Sequence, residues 1–187
     1  GGANAGHTVV FGGKKIALQQ VPSGIFYKNK LMYIGSGCII NILKLKAELE
    51  GLKVVGIDVT DRFKISSQAG VIQPHHILVD EVIGKQVGTT HNGIGPAYSD
   101  RALRMWNNRL LNIRMGDLLE DGDKYFAMMK TNFEFVSKIH SFDGNIDAEL
   151  DEMKRGFETI AKFVEKDTLF LQKRVMGGAK VIFEGAQ

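Results

Sequence analysis

A chain of 187 residues with ordinary apolar and charged fractions holds enough material for one well-buried domain, or one domain with a helical subdomain, and lies far from disordered composition. Its formal charge of +3 is spread along the chain without the signature of any common nucleic-acid module, and suits small anionic ligands at least as well as nucleic acid. One cysteine, Cys38, excludes an internal disulfide and a cysteine-based zinc cluster, and no apolar run approaches the ~18 residues that span a bilayer, so a cytoplasmic protein without a membrane segment is expected.

The chain opens on Gly1-Gly2-Ala3-Asn4-Ala5-Gly6-His7-Thr8, a loop small enough for a ligand to approach the backbone, with an amide, an imidazole and a hydroxyl to read it. Thr8 to Phe11 and Lys15 to Leu18 read as a hairpin turned by Gly12-Gly13. Leu31 to Ile34 reads as a strand, Ile42 to Leu52 as a short amphipathic helix stopped near Gly51, and Lys53 to Val59 and Phe63 to Ile65 as further strands. His76 to Val79, after Pro74, is a short extended or helical run.

From Asp100 the pattern turns helical. Phe126, Met129, Phe133 and Val136 share one stripe within Asp123 to Ile139, and Leu150, Met153, Phe157, Ile160 and Val164 another within Ile146 to Val164; both read as core. Asp167-Thr168 caps a last helix reaching Met176, and Lys180 to Phe183 returns as a strand. The expected division is 1–99 for a sheet-bearing nucleotide part, 100–178 for a helical subdomain and 179–187 for a strand rejoining the sheet.

Three stretches could carry chemistry. Gly88-Thr89-Thr90-His91-Asn92-Gly93-Ile94-Gly95 offers hydroxyls and backbone amides just before a helix, and reads either as a phosphate acceptor or as a plain connector. Arg101 and Arg104, three apart, would share a helix face; for either one alone a solvated basic face is the plainer reading. Phe183-Glu184-Gly185-Ala186-Gln187 sets a carboxylate and an amide after a strand. His75-His76 and Asp80 do not read as a metal site, because adjacent histidines diverge and no third ligand is spaced to join them.

The combination of Gly2-Ala3-Asn4-Ala5-Gly6-His7-Thr8, Pro22-Ser23-Gly24-Ile25, Gly88-Thr89-Thr90 with Gly93-Ile94-Gly95-Pro96-Ala97-Tyr98, Arg114-Met115-Gly116-Asp117-Leu118 and Phe183-Glu184-Gly185-Ala186-Gln187 resembles the adenylosuccinate synthetases in order and approximate spacing. The resemblance implies an α/β fold, with a mostly parallel central sheet like that of P-loop GTPases and a helical subdomain. It implies a GTP-dependent ligase joining IMP and L-aspartate in AMP synthesis, with magnesium, as a homodimer. His7 then matches the catalytic histidine; Gly6, His7 and Thr8 border GTP, and the Gly6 carbonyl ligates magnesium. Asn4, Ala5, Gly6, His7, Thr89, Thr90 and Gln187 line IMP, and Arg104 reaches the neighbouring subunit's IMP.

The departures shape the expectation. The family's phosphate-binding GDEGKGK loop would precede Gly1, and its later IMP, aspartate and guanine segments would follow Gln187, so the chain is expected to be a partial one and inactive alone. Asn92 stands where the family usually carries arginine, and Ser36, Ile42 and Gln19 or Gln20 replace a commoner asparagine, proline and histidine. The alternatives are an inactive nucleotide-binding or interaction protein that retains the fold, and a basic nucleic-acid binder.

Overall fold

The computed structural model describes residues 2–140, 142 and 145–185, beginning with the hairpin that the paired glycines promise. Strands β1 (His7–Phe11) and β2 (Lys14–Leu18) pair antiparallel from His7 opposite Leu18 to Phe11 opposite Lys14. Gly12 and Gly13 both take positive φ, +58° and +77°, as a two-residue turn matching the strand twist requires. A 3₁₀ turn at Ser23–Phe26 then buries Ile25 and Phe26.

Next come β3 (Met32–Ile34), β4 (Ile39–Ile40), α1 (Ile42–Val54), β5 (Phe63–Ser66) and β6 (Gly70–Val71). The pairs β3–β5 and β4–β6 are parallel, which demands a crossover, and α1 supplies it. The Asn41 side chain caps α1 by accepting from the Lys44 N–H at 3.0 Å. The helix does not stop at Gly51, and the strand expected over Lys53–Val59 does not form. Lys53 and Val54 complete α1, and Gly56, at φ +81°, ends it: its N–H donates to the Lys53 carbonyl and the Ile57 N–H to that of Leu52. That is a glycine-centred helix stop, and no ladder awaits the β-branched residues it releases.

Helices α2 (Pro74–Val87) and α3 (Ile94–Leu103) lead into a small hairpin of β7 (Met105–Trp106) and β8 (Arg109–Leu110). Helices α4 (Met115–Glu120), α5 (Gly122–His140) and α6 (Asp147–Ile160) follow, then a 3₁₀ turn at Ala161–Phe163, β9 (Val164–Glu165) and α7 (Phe170–Met176). The run at His76–Val79 is therefore the middle of a four-turn helix. Val164 belongs to no helix: it pairs with Ile65, and β9 joins β5 as the third parallel strand of the order β3-β5-β9. Lys180–Phe183 forms no ladder, with Ile182 95% and Phe183 82% exposed, since an apolar extended run becomes a strand only where a neighbour offers unpaired backbone groups.

The α/β expectation holds, with a mostly parallel sheet flanked by helices. Phe63 and Ile65 are fully buried in one core cluster with Leu45 of α1, Met129 of α5 and Ile160 of α6. The Met and Phe stripe of α5 and α6 is thus core, and each such side chain contributes roughly 1.5–3 kcal/mol by leaving water. Among the described residues no helix is long and apolar enough to cross a membrane.

Candidate functional site

Helix α2 is the template on which the second glycine-rich loop is laid. His76, Asp80 and Gly84 recur every four residues and so form one row, all buried. Gly88 ends the helix in the left-handed region at φ +70° and sends the chain back along that row. Thr89 and His91 cross over Gly84, where a Cβ would collide with Thr89 Oγ1 and stand 2.8 Å from His91 Cε1. The Gly93 N–H then donates to Asp80 Oδ2 at 2.8 Å, and a Cβ on Gly93 would lie 3.0 Å from the His76 backbone. Gly93 is itself left-handed, at φ +70°, and opens α3, whose first turn leaves the N–H groups of Ile94 and Gly95 without intrahelical partners.

Of the two threonines, Thr90 is exposed and Thr89 half-buried. Asn92 donates from its amide to Thr90 Oγ1 at 3.0 Å and accepts from Lys44 Nζ, so a lysine at the start of α1 brings a cation to this loop. The opening loop meets the same place: a Cβ on Gly2 would stand 2.6 Å from Ile94 Cδ1 and 3.0 Å from the Ile39 carbonyl. The two glycine-rich stretches are thereby neighbours.

His7 begins β1, half-buried, with both ring nitrogens facing oxygens. Nδ1 lies 3.3 Å from the Ala5 carbonyl, and Nε2 lies 3.2 Å from the Val21 carbonyl and 3.3 Å from Glu184 Oε1. The other oxygen of Glu184 accepts from the N–H and hydroxyl of Ser23, at 2.9 and 2.8 Å. Three of the quoted motifs therefore converge: the opening loop, Pro22-Ser23-Gly24 and the carboxylate of the last segment. Asn4 Oδ1 is buried without a hydrogen-bond partner, an acceptor of the kind a ligand donor would satisfy. Gly6 is exposed, with open space where a Cβ would be.

His75 and His76 do not diverge as adjacent histidines were expected to. Their ring centroids lie 4.1 Å apart, and both Nε2 atoms reach Asp100 Oδ2, at 2.8 and 3.1 Å. Asp100 is thus the third group that spacing alone did not reveal, and these three could in principle hold a cation. Hydrogen bonds account for His76 and Asp100 instead, while His75 Nδ1 is buried without a partner. His76 Nδ1 accepts from the Gln73 N–H at 3.0 Å, which leaves the ring proton on Nε2 to be donated to Asp100, where a metal would need a lone pair. Burial, then the neighbouring His75, pushes the protonation of His76 down to about 4. Burial opposes charge on Asp100, but the hydrogen bonds from both histidines outweigh it and hold the carboxyl below the usual range.

Arg101 and Arg104 do not share a helix face. Helix α3 ends at Leu103, and Arg104 is its cap with φ +66°. Arg101 turns inward rather than forming a solvated basic face, donating from Nη2 to the Ser36 carbonyl at 2.7 Å. The Arg114–Leu118 motif is architectural: Asp117 is buried and accepts from the Arg114 N–H, Nε and Nη2, while a Cβ on Gly116 would meet Ser67 at 3.0 Å. Gln187 lies outside the described residues.

The family model described as adenylosuccinate synthetase matches residues 1–187. The chain belongs to the adenylosuccinate synthetase family. It is 40% identical over 187 residues to adenylosuccinate synthetase 2 of Cupriavidus pinatubonensis, covering 100% of this chain and 40% of that one. It is 41% identical over 196 residues to adenylosuccinate synthetase of Shouchella clausii, covering 100% and 44%. The segment thus spans under half the length of these family members. The structure of fully ligated adenylosuccinate synthetase from Plasmodium falciparum superposes with a TM-score of 0.82 at 28% identity, over 99% of this chain and 43% of that one.

Sequence reasoning left three contributors to this part of the fold unassigned. Lys44 gave no signal, being one cation among several on α1. Glu184 reads as a carboxylate after a strand, but nothing local ties it to His7, 177 positions earlier by residue number. Asp80 was weighed only with the histidines.

Proposed function

We propose that this segment serves a GTP-dependent ligase that joins IMP and L-aspartate to form adenylosuccinate, GDP and phosphate in AMP synthesis, acting in the cytoplasm as a homodimer. Family membership over residues 1–187 carries the reading, and the meeting of the two glycine-rich loops supports it. In this reaction the γ-phosphoryl group passes from GTP to the 6-oxygen of IMP. The aspartate amine then attacks C6, and the C6–O bond breaks so that the oxygen leaves as part of phosphate.

In this reading His7 donates a hydrogen bond to the phosphoryl group as negative charge develops; its position at the end of the opening loop, beside Glu184 and the segment of Val21 and Ser23, supports the role. Asn4, Ala5, Gly6 and His7 line IMP, and the unpartnered Asn4 Oδ1 awaits a donor. Thr90, with Thr89 beside it, binds the phosphate of IMP, and Lys44 lends that loop a positive charge through Asn92. Gln187 completes the IMP contacts. Arg104 reaches the IMP of the neighbouring subunit.

Gly6, His7 and Thr8 border GTP. Magnesium keeps several waters and takes only oxygen ligands, so a single main-chain carbonyl is a fitting share, and the exposed Gly6 suits it. When bound, the metal would neutralise charge on the transferring phosphoryl group.

The test is His7→Ala in the full-length protein. Turnover is expected to fall about a hundredfold or more, the scale of a lost proton or hydrogen-bond donor, with the melting transition unchanged. A rate near the parent's would overturn the role, and IMP binding without turnover in the parent would favour an inactive relative.

A further inference from the structure

We propose that Asp80 is a positioning residue for substrate phosphate: from the middle of α2 it holds the Gly93 N–H, and with Gly84 it sets where the hydroxyls of Thr89 and Thr90 stand. The proposal rests on the reading of Thr90 as the contact to the IMP phosphate.

The loop Gly88–Gly93 has little of its own to hold it. It carries two left-handed glycines; its internal side-chain bonds are short-range, from His91 N–H to Thr89 Oγ1 at 3.3 Å and from Asn92 to Thr90, and one exposed cation, Lys44, reaches it at Asn92. Its place must therefore come from what it lies on, and the buried row of α2 supplies that at two points. At Gly84 the missing side chain lets Thr89 Oγ1 and His91 approach to distances at which a methyl group would collide. At Asp80, 3% exposed, a carboxylate takes the Gly93 N–H. A carboxylate within an anion-binding loop would repel its ligand if it faced the ligand. Here it is buried beneath the loop with an oxygen committed to backbone, so it fixes the loop from behind and leaves Ile94 and Gly95 to present their N–H groups forward. His76, one turn earlier on the same row, packs against Gly93 and completes the seat.

The experiment compares KM for IMP, kcat, and KM for GTP and aspartate in the full-length protein. Asp80→Leu keeps the branched shape but removes the acceptor, and is expected to raise KM for IMP about tenfold while kcat and the other two constants stay near the parent's. Asp80→Asn retains an acceptor for Gly93 and is expected to restore most of that loss. Gly84→Ala leaves Asp80 in place and improves helix propensity, yet must displace Thr89; it is expected to raise KM for IMP as well, and serves if Asp80→Leu does not fold. Inosine, which lacks the phosphate, is the control probe, and its inhibition constant should not move in these variants. Thr90→Ala tests the underlying reading. If Thr90→Ala leaves KM for IMP unchanged, that reading fails. If Thr90→Ala raises it but Asp80→Leu and Gly84→Ala do not, or if they alter all constants together, the positioning role alone is overturned.

Discussion

At the scale of single residues, the departures from the family's usual pattern matter most where the structure supplies a substitute. Asn92 stands where the family usually carries arginine, and Lys44 brings a cation to the same loop from a different element, joined to Thr90 through the Asn92 amide. Lys44 is exposed, so its charge is screened and worth at most about 1 kcal/mol. Lys44→Ala should accordingly raise KM for IMP by about fivefold, with kcat unchanged, and the effect should shrink as salt is added. Adding Asn92→Arg to that variant should recover the loss, because the cation would then stand on the loop itself. Steady-state kinetics of the two variants at low and high salt decide the point; an unchanged KM in Lys44→Ala would remove Lys44 from the site.

At the scale of elements, the readings that succeeded relied on periodicity, and those that failed relied on partners distant in sequence. The apolar stripes of α5 and α6 are a property of local spacing, and both are core. Val54 and Val181–Phe183 look like strand in composition, but a strand is defined by its neighbour, and neither has one among the described residues. The site divides in the same way: glycine, threonine and histidine motifs announce themselves locally, whereas Glu184 on His7 and Asp100 on His75 and His76 are long-range facts. The His76–Asp100 contact also makes α2 and α3 respond to acid. His76 is held neutral, with protonation pushed from the ordinary 6.5 to about 4, so between those values the unfolded chain takes a proton that the fold refuses. Stability must therefore fall as pH falls through that window, by about 2 kcal/mol between pH 7 and 5. Asp100 acts in the same direction at lower pH: its depressed carboxyl contributes stability above the ordinary carboxylate range, and this is lost on further acidification. Urea unfolding at pH 7 and 5 should show this slope in the parent and most of it gone in His76→Gln; equal slopes would refute the assignment.

At the scale of the whole molecule, the feature that local contacts leave unexplained is Arg104. It is exposed, caps α3 at φ +66°, and makes no side-chain hydrogen bond or ion pair among the described residues. A non-glycine residue held in the left-handed region costs energy that the surrounding structure must offset. Leu103, Met105 and Trp106 beside it are about half exposed, an apolar rim around a cation, as at the centre of a protein–protein contact. The proposed homodimer gives both features a use, since Arg104 would complete the partner's site while the rim is covered. Two inactive variants then become complementary. Arg104→Leu damages the site of the other subunit, and His7→Ala damages its own, so a hybrid dimer collects both lesions in one site and leaves the second intact. Equal mixtures, dissociated and reassembled, should recover about a quarter of the parent rate, because half of randomly formed dimers are hybrids with one working site each. Each variant alone should stay inactive at saturating aspartate and ordinary IMP. Recovery no greater than the sum of the separate rates, with hybrids verified by native mass spectrometry, would place Arg104 outside the shared site.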